Sequence, residues 1–236
     1  MKRFSTIIAM LLTVTLANAQ SRQGTFSVIP RLGVTLSNIS HETLTVADAP
    51  SLPSVADKGK TKAGMLAGAD LQYQATPTVA VSVGAFYAKM GCRYDETDLS
   101  EAVAGNHQVY YHNRYNLHYL SVPLMGHVYV AKGLAINAGV QASWLLDDKF
   151  IADVTEVTIG KDGSYTYTGQ TEKYDEKNPY TKKFEVAIPV GLSYEYMNVV
   201  LDVRYHLGLT NIYKSPIDNG NKNRGLVLSA GYKFDL

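Results

Sequence analysis

The chain has 236 residues, a formal net charge of +1 and a single cysteine. A charge this small argues against a nucleic-acid partner, which would favour a basic surface. One cysteine, Cys92, excludes an intramolecular disulfide framework. After the N-terminal apolar run, no stretch approaches the roughly 18 uninterrupted apolar residues of a transmembrane helix. A helical membrane protein and a disulfide-stapled domain are therefore both excluded.

The N-terminus has the pattern of a secretory signal peptide. Lys2 and Arg3 precede a short apolar run over residues 7–16, and Ala17-Asn18-Ala19 then matches the A-x-A cleavage pattern. No cysteine lies at the end of the apolar run, where a lipoprotein signal would need one, so a lipoprotein signal is not expected. We predict a signal peptide over residues 1–19, which exports a mature domain of residues 20–236.

The C-terminal third alternates apolar and polar residues over three successive segments, at about 184–196, 199–210 and 226–234. A strand shows successive side chains to opposite faces, so each segment has one apolar face. The opposite face is mostly Gly, Ala, Ser and Thr with a few charges, as expected for a narrow, filled barrel interior. The 17 tyrosines also suit the aromatic girdles of a membrane barrel.

Five earlier segments repeat the alternation, which brings the predicted strand count to eight. Proline cannot donate to a ladder, so Pro123 predicts a bulge or local break in the fourth strand. The predicted fold is all-β, an eight-stranded antiparallel up-and-down transmembrane β-barrel. The five earlier strands are expected at about 24–38, 61–74, 78–92, 114–130 and 134–146.

The lengths of the connections support this count independently. The second, fourth and sixth connections are short, around residues 75–77, 131–133 and 197–198, whereas the odd-numbered ones are longer and polar. Short periplasmic turns and long external loops are the outer-membrane arrangement, with both termini in the periplasm. Within the third long loop, Gly160-Lys161-Asp162-Gly163 between β-favouring residues predicts a hairpin. We therefore expect the fifth and sixth strands to project beyond the membrane as a β-ribbon.

Three segments resemble a known family: Tyr119–Leu124, Arg204–Ile212 and Asn223–Phe234. They look like the PorT-type outer-membrane β-barrel family of Bacteroidetes, and the likeness spans essentially the whole mature chain. The resemblance implies a small outer-membrane barrel of porin-like type, and it implies no particular activity. Many outer-membrane proteins end on an aromatic residue, whereas here Asp235 and Leu236 follow Phe234.

The charged residues on the inward parity are the candidate site. An eight-stranded barrel has room only for its own side chains, and an unpaired buried charge is costly. We therefore expect an interior network of ion pairs and hydrogen bonds, with Asp202 or Glu185 partnering Arg204 or Lys233. An ion or small-solute path is the alternative. The set comprises Arg31, Asp70, Glu185, Glu195, Asp202, Arg204, His206 and Lys233.

Metal and catalytic sites have only weak candidates. His107 and His112 lie in the second long loop, but their spacing fits no established metal motif. His118, Ser121 and the Asp147-Asp148 pair could suggest a rim enzyme, yet His118 and Ser121 differ in parity and should point to opposite faces. No serine elbow, zinc signature or phosphate loop is present. We expect no enzyme, no cofactor and no bound metal.

The expected function is structural or interaction-based, carried by the long external loops of a monomeric barrel in the Gram-negative outer membrane. Expected partners are outer-membrane lipid and an extracellular or periplasmic protein or ligand, with no nucleic acid. A small-solute porin is the leading alternative, although open aqueous pores usually take about 16 strands or more. A rim-located enzyme comes third. A soluble lipocalin-like barrel should have an apolar interior, and the charged inward parity argues against it.

Overall fold

The computed structural model describes residues 22–45, 56–96, 99, 103–215 and 220–236. The predicted signal peptide, residues 1–19, lies outside this part of the chain. Among the residues described, no helix has the length and apolar character needed to cross a membrane.

The described residues form twelve strands, numbered in chain order. They are β1 (Phe26–Ile39), β2 (Thr43–Thr45), β3 (Ala56–Lys58), β4 (Lys60–Thr76), β5 (Val79–Arg93), β6 (Gly105–Ala131), β7 (Leu134–Ile159), β8 (Tyr165–Glu176), β9 (Phe184–Tyr196), β10 (Val199–Gly208), β11 (Asn223–Tyr232) and β12 (Phe234–Asp235).

Eight of these strands form a closed antiparallel ring in the order β1-β4-β5-β6-β7-β9-β10-β11. The ring closes where β11 pairs back onto β1, with Arg31 opposite Gly231 and Leu36 opposite Leu226. Closure leaves no strand edge unpaired around the ring. The predicted all-β antiparallel class and the count of eight principal strands are confirmed. The short β12 extends the β11 edge, and β2 pairs only with β3.

An apolar band surrounds the ring and gives it a membrane-spanning surface. We take its spanning segments as residues 26–36, 65–74, 79–87, 120–130, 134–146, 184–196, 199–209 and 226–234. Outward side chains such as Leu32, Leu124 and Val140 are exposed on this band. From Phe26 to Leu36, ten residue steps along a strand tilted by about 40° rise about 25 Å, the height of a barrel's apolar band.

Aromatic residues border the band at both ends. At the end with the short turns, the Phe26 and Tyr73 rings lie 4.8 Å apart, as do those of Tyr232 and Phe234. At the end with the long loops, the Trp144 and Phe184 rings lie 5.5 Å apart. These two girdles separate a short-turn end from a long-loop end.

The long-loop end contains more strand than the sequence predicted. β6 begins at Gly105 rather than near residue 114, and β7 continues to Ile159 rather than ending near residue 146. The sequence pattern predicts a polar loop at residues 105–113, but these residues pair with β7 from Gly105–Ile159 onward. That interpretation was wrong because strand pairing between two adjacent elements does not need a lipid-facing apolar stripe.

The predicted ribbon is present, although its strands differ from those expected. The turn at residues 160–164 joins β7 to β8, and the β7–β8 ladder runs from Ile159–Tyr165 to Phe150–Glu176. β6 pairs with the other edge of β7, so the projection has three strands. The sixth strand of the ring, β9, starts only at Phe184 and takes no part. The ribbon partner of β7 is thus an additional strand within the loop.

Pro123 interrupts a ladder without producing a bulge. The β5–β6 register passes from Val83–Leu124 to Phe86–Ser121 with no shift, and the two residue pairs in between are not bridged. On the other side of β6, Pro123 stays in register with Gln141. The local break is therefore as predicted, and it is confined to the β5 side.

Candidate functional site

The eight charged residues predicted to face inward are all buried inside the ring. Each is brought within ion-pair distance of an opposite charge or a histidine partner. They form three groups at different heights, which are a four-residue cluster near the middle and one pair towards each end.

The middle group consists of two arginines and two aspartates, which we call the Arg–Asp cluster: Arg31, Asp70, Asp202 and Arg204. Arg31 Nε lies 2.7 Å from Asp70 Oδ2, and Arg204 Nε lies 2.7 Å from Asp202 Oδ1. Cross contacts of 3.5 Å (Arg31–Asp202) and 3.8 Å (Arg204–Asp70) join the two pairs. The cluster is formally neutral, and its side chains come from β1, β4 and β10. It therefore ties β10 to β1 and β4, although β11 lies between β10 and β1 in the ring.

A hydrogen-bonded chain joins the Arg–Asp cluster to the wall formed by β5, β6 and β7. Asn137 donates to Asp202 Oδ2 at 3.2 Å, and its amide oxygen accepts from His127 Nδ1 at 2.8 Å. The other ring nitrogen of His127 then accepts from Ser82 Oγ at 2.8 Å. Sequence reasoning missed His127, although its parity with Tyr119 and Ser121 could have placed it inside.

The other two groups contain one buried carboxylate each. Towards the long-loop end, His206 Nε2 lies 3.0 Å from Glu185 Oε1, and Asn223 donates to the second oxygen at 3.0 Å. Towards the short-turn end, Lys233 Nζ lies 2.9 Å from Glu195 Oε2. Of the partners expected from sequence, only Asp202–Arg204 forms, because the register places Glu185 beside His206 and Lys233 beside Glu195.

The interior is filled by these side chains and by tight packing around them. A cavity of about 30 Å³ lies beside Asp202, Arg204 and His206, and it has room for one or two water molecules. The Phe86 ring lies over two glycines, since a Cβ on Gly68 or Gly84 would come within 2.6 Å of a ring carbon. Filling of this kind leaves water-sized space rather than a wide channel at this level.

Above the band, the interior is covered by an apolar cluster and then by a polar cap. Ile39, Met90, Tyr115 and Ile212 are among the buried members of the apolar cluster. In the cap, Glu42 accepts hydrogen bonds from Tyr94, Tyr213 and Asn221 at 2.8–2.9 Å.

Two carboxylates organise this cap. Burial raises the pKa of Glu42, and the three hydrogen bonds that it accepts only partly offset this. Asp148 accepts from Tyr115, Thr181 and the backbone of Asn178, so it connects β6, β7 and the segment after β8. The long loops are therefore held across the barrel mouth by buried polar contacts.

The three-stranded projection, which we call the ribbon, comprises residues 105–113, 147–159 and 165–176. Its outer strand β8 pairs only with β7 among the described residues, so its second edge has no strand partner. Tyr165, Tyr167 and Tyr174 are exposed on β8. Exposed tyrosines on a strand edge are features of protein-recognition surfaces.

The weaker candidate residues are held apart by the fold. His118 bonds to Tyr87 on the outer face, whereas Ser121 bonds to Ser143 inside. His107 Nε2 bonds to the Val103 carbonyl, while His112 pairs with Asp153. Asp147 pairs with Lys177. Within the described ranges, no group of three or more His, Cys, Asp or Glu side chains could hold a metal ion.

A closed antiparallel ring, an apolar outer band between aromatic girdles and a charged, filled interior define the outer-membrane β-barrel class of proteins. The chain belongs to the family of outer membrane protein β-barrel domains, whose model matches residues 18–214. This membership points to the Gram-negative outer membrane.

The individual proteins to which the chain is similar share a low sequence identity with it. The chain is 26% identical over 240 residues to Uncharacterized protein PM1543 of Pasteurella multocida (strain Pm70), covering 97% of each chain. Among solved structures, it is similar to Ail of Yersinia pestis, at 14% identity and a TM-score of 0.40, over 90% of this chain and 99% of that one. It is also similar to OprG of Pseudomonas aeruginosa, at 15% identity and a TM-score of 0.40, over 92% and 99%. Because both TM-scores are below 0.5, neither likeness assigns a function to this chain.

Proposed function

We propose that the protein is an eight-stranded up-and-down outer-membrane β-barrel that does not conduct and that serves as a monomeric scaffold for its external ribbon. It reaches the membrane by way of the signal peptide at residues 1–19. Its short-turn end faces the periplasm and its long-loop end faces outward, as in other barrels of this class. We further propose that it belongs to the PorT-type branch of the family in Bacteroidetes, on the strength of Tyr119–Leu124 and Arg204–Ile212.

The Arg–Asp cluster is the observation that carries the non-conducting assignment. Its charged side chains are no more than about a tenth exposed, and the hydrogen bond from Asn137 to Asp202 joins them to β7 on the opposite side of the ring. A hydrated ion passing this level would have to break ion pairs in a poorly solvated interior, which is costly. The Glu185–His206 and Glu195–Lys233 pairs add two further obstacles along the same path.

Planar-bilayer recording of the refolded mature chain tests this assignment against a small-solute channel. We expect no conductance steps from protein whose folding is verified by heat-modifiable gel mobility. Variants that open the lumen provide a positive control, so Arg31→Ala combined with Arg204→Ala should admit ions. Regular conductance steps from the unmodified barrel would favour the channel instead.

The ribbon supports an interaction role outside the membrane. It combines a strand edge with which no other described strand pairs, three exposed tyrosines and anchoring through the hydrogen bonds of Asp148. Such an edge can accept an extended segment by backbone pairing, while the tyrosines add contact area. We propose that its partner is an extracellular protein or ligand, and we propose no catalytic role, because His118 and Ser121 lie on opposite faces.

Site-specific photo-crosslinking in intact cells tests the interaction role. A photoreactive residue at Tyr167 should give discrete adducts with a partner, whereas the same residue at the lipid-facing Leu32 should give only lipid adducts. If Tyr167 and Leu32 both give only lipid or solvent products, the ribbon is not an interaction surface.

A further inference from the structure

A groove of about 660 Å³ opens where β4, β5 and β6 leave the apolar band at the long-loop end. The β4–β5 register shifts between Thr61 and Leu66, where four residues of β4 face three of β5. Such an irregularity splays two strands and re-aims their side chains, and it is common beside binding sites. The groove is thus a consequence of a specific break in the ladder.

Cations outnumber carboxylates among the side chains that line the groove. The cations are Lys62, Lys89, Arg93 and Arg114, and the carboxylates are Asp95 and Glu96. Asp95 already pairs with Lys60, which partly neutralises its charge.

Three of the cations are crowded together beyond the membrane-spanning segments. The pKa of Lys62 is lowered to about 8, first by burial and then by the positive charges of Lys89 and Arg114. Among the described residues, Lys62 Nζ donates to the Met90 carbonyl at 3.3 Å, which is a neutral acceptor. A cluster of cations whose charges disfavour one another is stabilised when an anion binds among them.

The groove also contains two buried acceptors to which no described residue donates. Asn116 is 2% exposed and Asn113 is 3% exposed, and within the described ranges neither side-chain oxygen accepts a hydrogen bond. Buried polar atoms are nearly always bonded, so hydroxyl donors of a ligand in the groove would satisfy both oxygens. Phosphate oxygens accept but do not donate when fully ionised, whereas sugar hydroxyl groups donate. The cations and the two acceptors together favour a ligand that carries both chemistries.

We propose that this groove is a binding site for a phosphorylated sugar. The phosphate lies among Lys62, Lys89 and Arg114, and sugar hydroxyl groups donate to Asn116 and Asn113. Lys89 is only two residues beyond Tyr87, the last residue of the spanning segment 79–87, so the groove opens at the level of lipid headgroups. The sugar phosphate can therefore come from the headgroup of a phosphorylated glycolipid or from a soluble molecule.

Titration of the refolded mature chain in zwitterionic detergent, followed by calorimetry, tests the chemistry. Glucose 1-phosphate is the probe, with glucose and inorganic phosphate as comparisons. We expect glucose 1-phosphate to bind more tightly than either comparison. The double variant Lys89→Gln/Arg114→Gln should weaken its binding at least about ten-fold, because each charge-assisted hydrogen bond is strong.

Two further variants separate a built site from general charge attraction. Asn116→Ala should weaken glucose 1-phosphate and leave inorganic phosphate unchanged. The matched double variant Lys222→Gln/Arg224→Gln removes two cations elsewhere at the long-loop end, outside the groove, and should leave binding unchanged. Heat-modifiable mobility checks that every variant folds. Equal losses from the two double variants, or no preference for the sugar phosphate over phosphate, would overturn the proposal.

Nanodiscs then distinguish the two sources of the sugar phosphate. Discs of phosphatidylglycerol, with and without purified lipid A, are compared by lipid adducts from a photoreactive residue at Ala63, which lines the groove. Adducts with lipid A that disappear in Lys89→Gln/Arg114→Gln identify the headgroup source. Binding of glucose 1-phosphate without such adducts identifies a soluble one.

Discussion

Neutralising Asp202 should destabilise the barrel more than the loss of any exposed charge. Asp202 lies 2.7 Å from Arg204, 3.5 Å from Arg31 and 3.2 Å from the amide of Asn137. Its side chain is 1% exposed, so solvent does not screen these contacts. In Asp202→Asn, two arginines share one aspartate, and a new amide donor faces Arg31. Removing one partner of a buried pair costs about 3–5 kcal/mol.

Urea unfolding in micelles, followed by fluorescence, measures this loss. Trp144 is the single tryptophan and lies on the lipid-facing surface, so its emission reports departure from the micelle. With a slope of about 2 kcal/mol per molar urea, a loss of about 4 kcal/mol lowers the midpoint by about 2 M. The control Asp175→Asn removes the aspartate of the exposed Lys149–Asp175 pair and should change the midpoint little.

A double variant shows whether the cluster acts as a unit. Asp202→Asn/Arg204→Gln restores charge neutrality and leaves Arg31 paired with Asp70. It should therefore be more stable than the sum of the two single losses predicts, by about 0.5–3 kcal/mol. Two results would show that the cluster does not hold the strands together. The first is a urea midpoint of Asp202→Asn within about 0.5 M of that of the unmodified protein, and the second is a double variant whose loss of stability equals the sum of the two single losses.

Two further predictions concern the packing and the cap. A Cβ at Gly68 would lie 2.1 Å from the Ala85 carbonyl oxygen, so Gly68→Ala should lower the free energy of unfolding by about 1–3 kcal/mol. In the control Gly126→Ala, the atom nearest to the new Cβ is 3.7 Å away, so the urea midpoint should not change. Equal midpoints for the two variants would contradict this packing. Since the pKa of Glu42 is raised, the closed cap binds more protons than the open one, and its stability should fall as pH rises from the ordinary value of 4.5 through the raised one. Hydrogen exchange of the Ser40 and Ile212 amides, corrected for intrinsic rates, should show protection that falls with pH in the unmodified chain and not in Glu42→Gln. Protection that grows with pH in the unmodified chain would refute the prediction.

The sequence predicted the ring because two constraints act on every spanning strand. Lipid requires an apolar outer face, and a narrow interior requires small or paired polar residues, so the two-residue period is visible in segments such as 184–196. The same constraints place Arg31 and Asp70 inside without any knowledge of their partners. Pairing depends on register, and a shift of one residue changes every cross-strand neighbour. The partners of Glu185 and Lys233 could therefore not be predicted from the sequence pattern.

Beyond the membrane both constraints disappear, which explains where sequence reasoning failed. The upper parts of β6 and β7 need no lipid-facing stripe, so residues 105–113 looked like a polar loop, although residues 105–111 pair with β7 up to a register shift before Arg114. The turn at Gly160–Ser164 was visible because turn geometry is encoded locally. The groove was invisible because it depends on a bulge in the β4–β5 ladder and on Asn116, a residue that nothing in the alternation singles out. The lipid environment imposes the alternation that makes the spanning strands predictable from the sequence. The ribbon and the groove, for which we propose binding roles, lie beyond the membrane, where that constraint is absent.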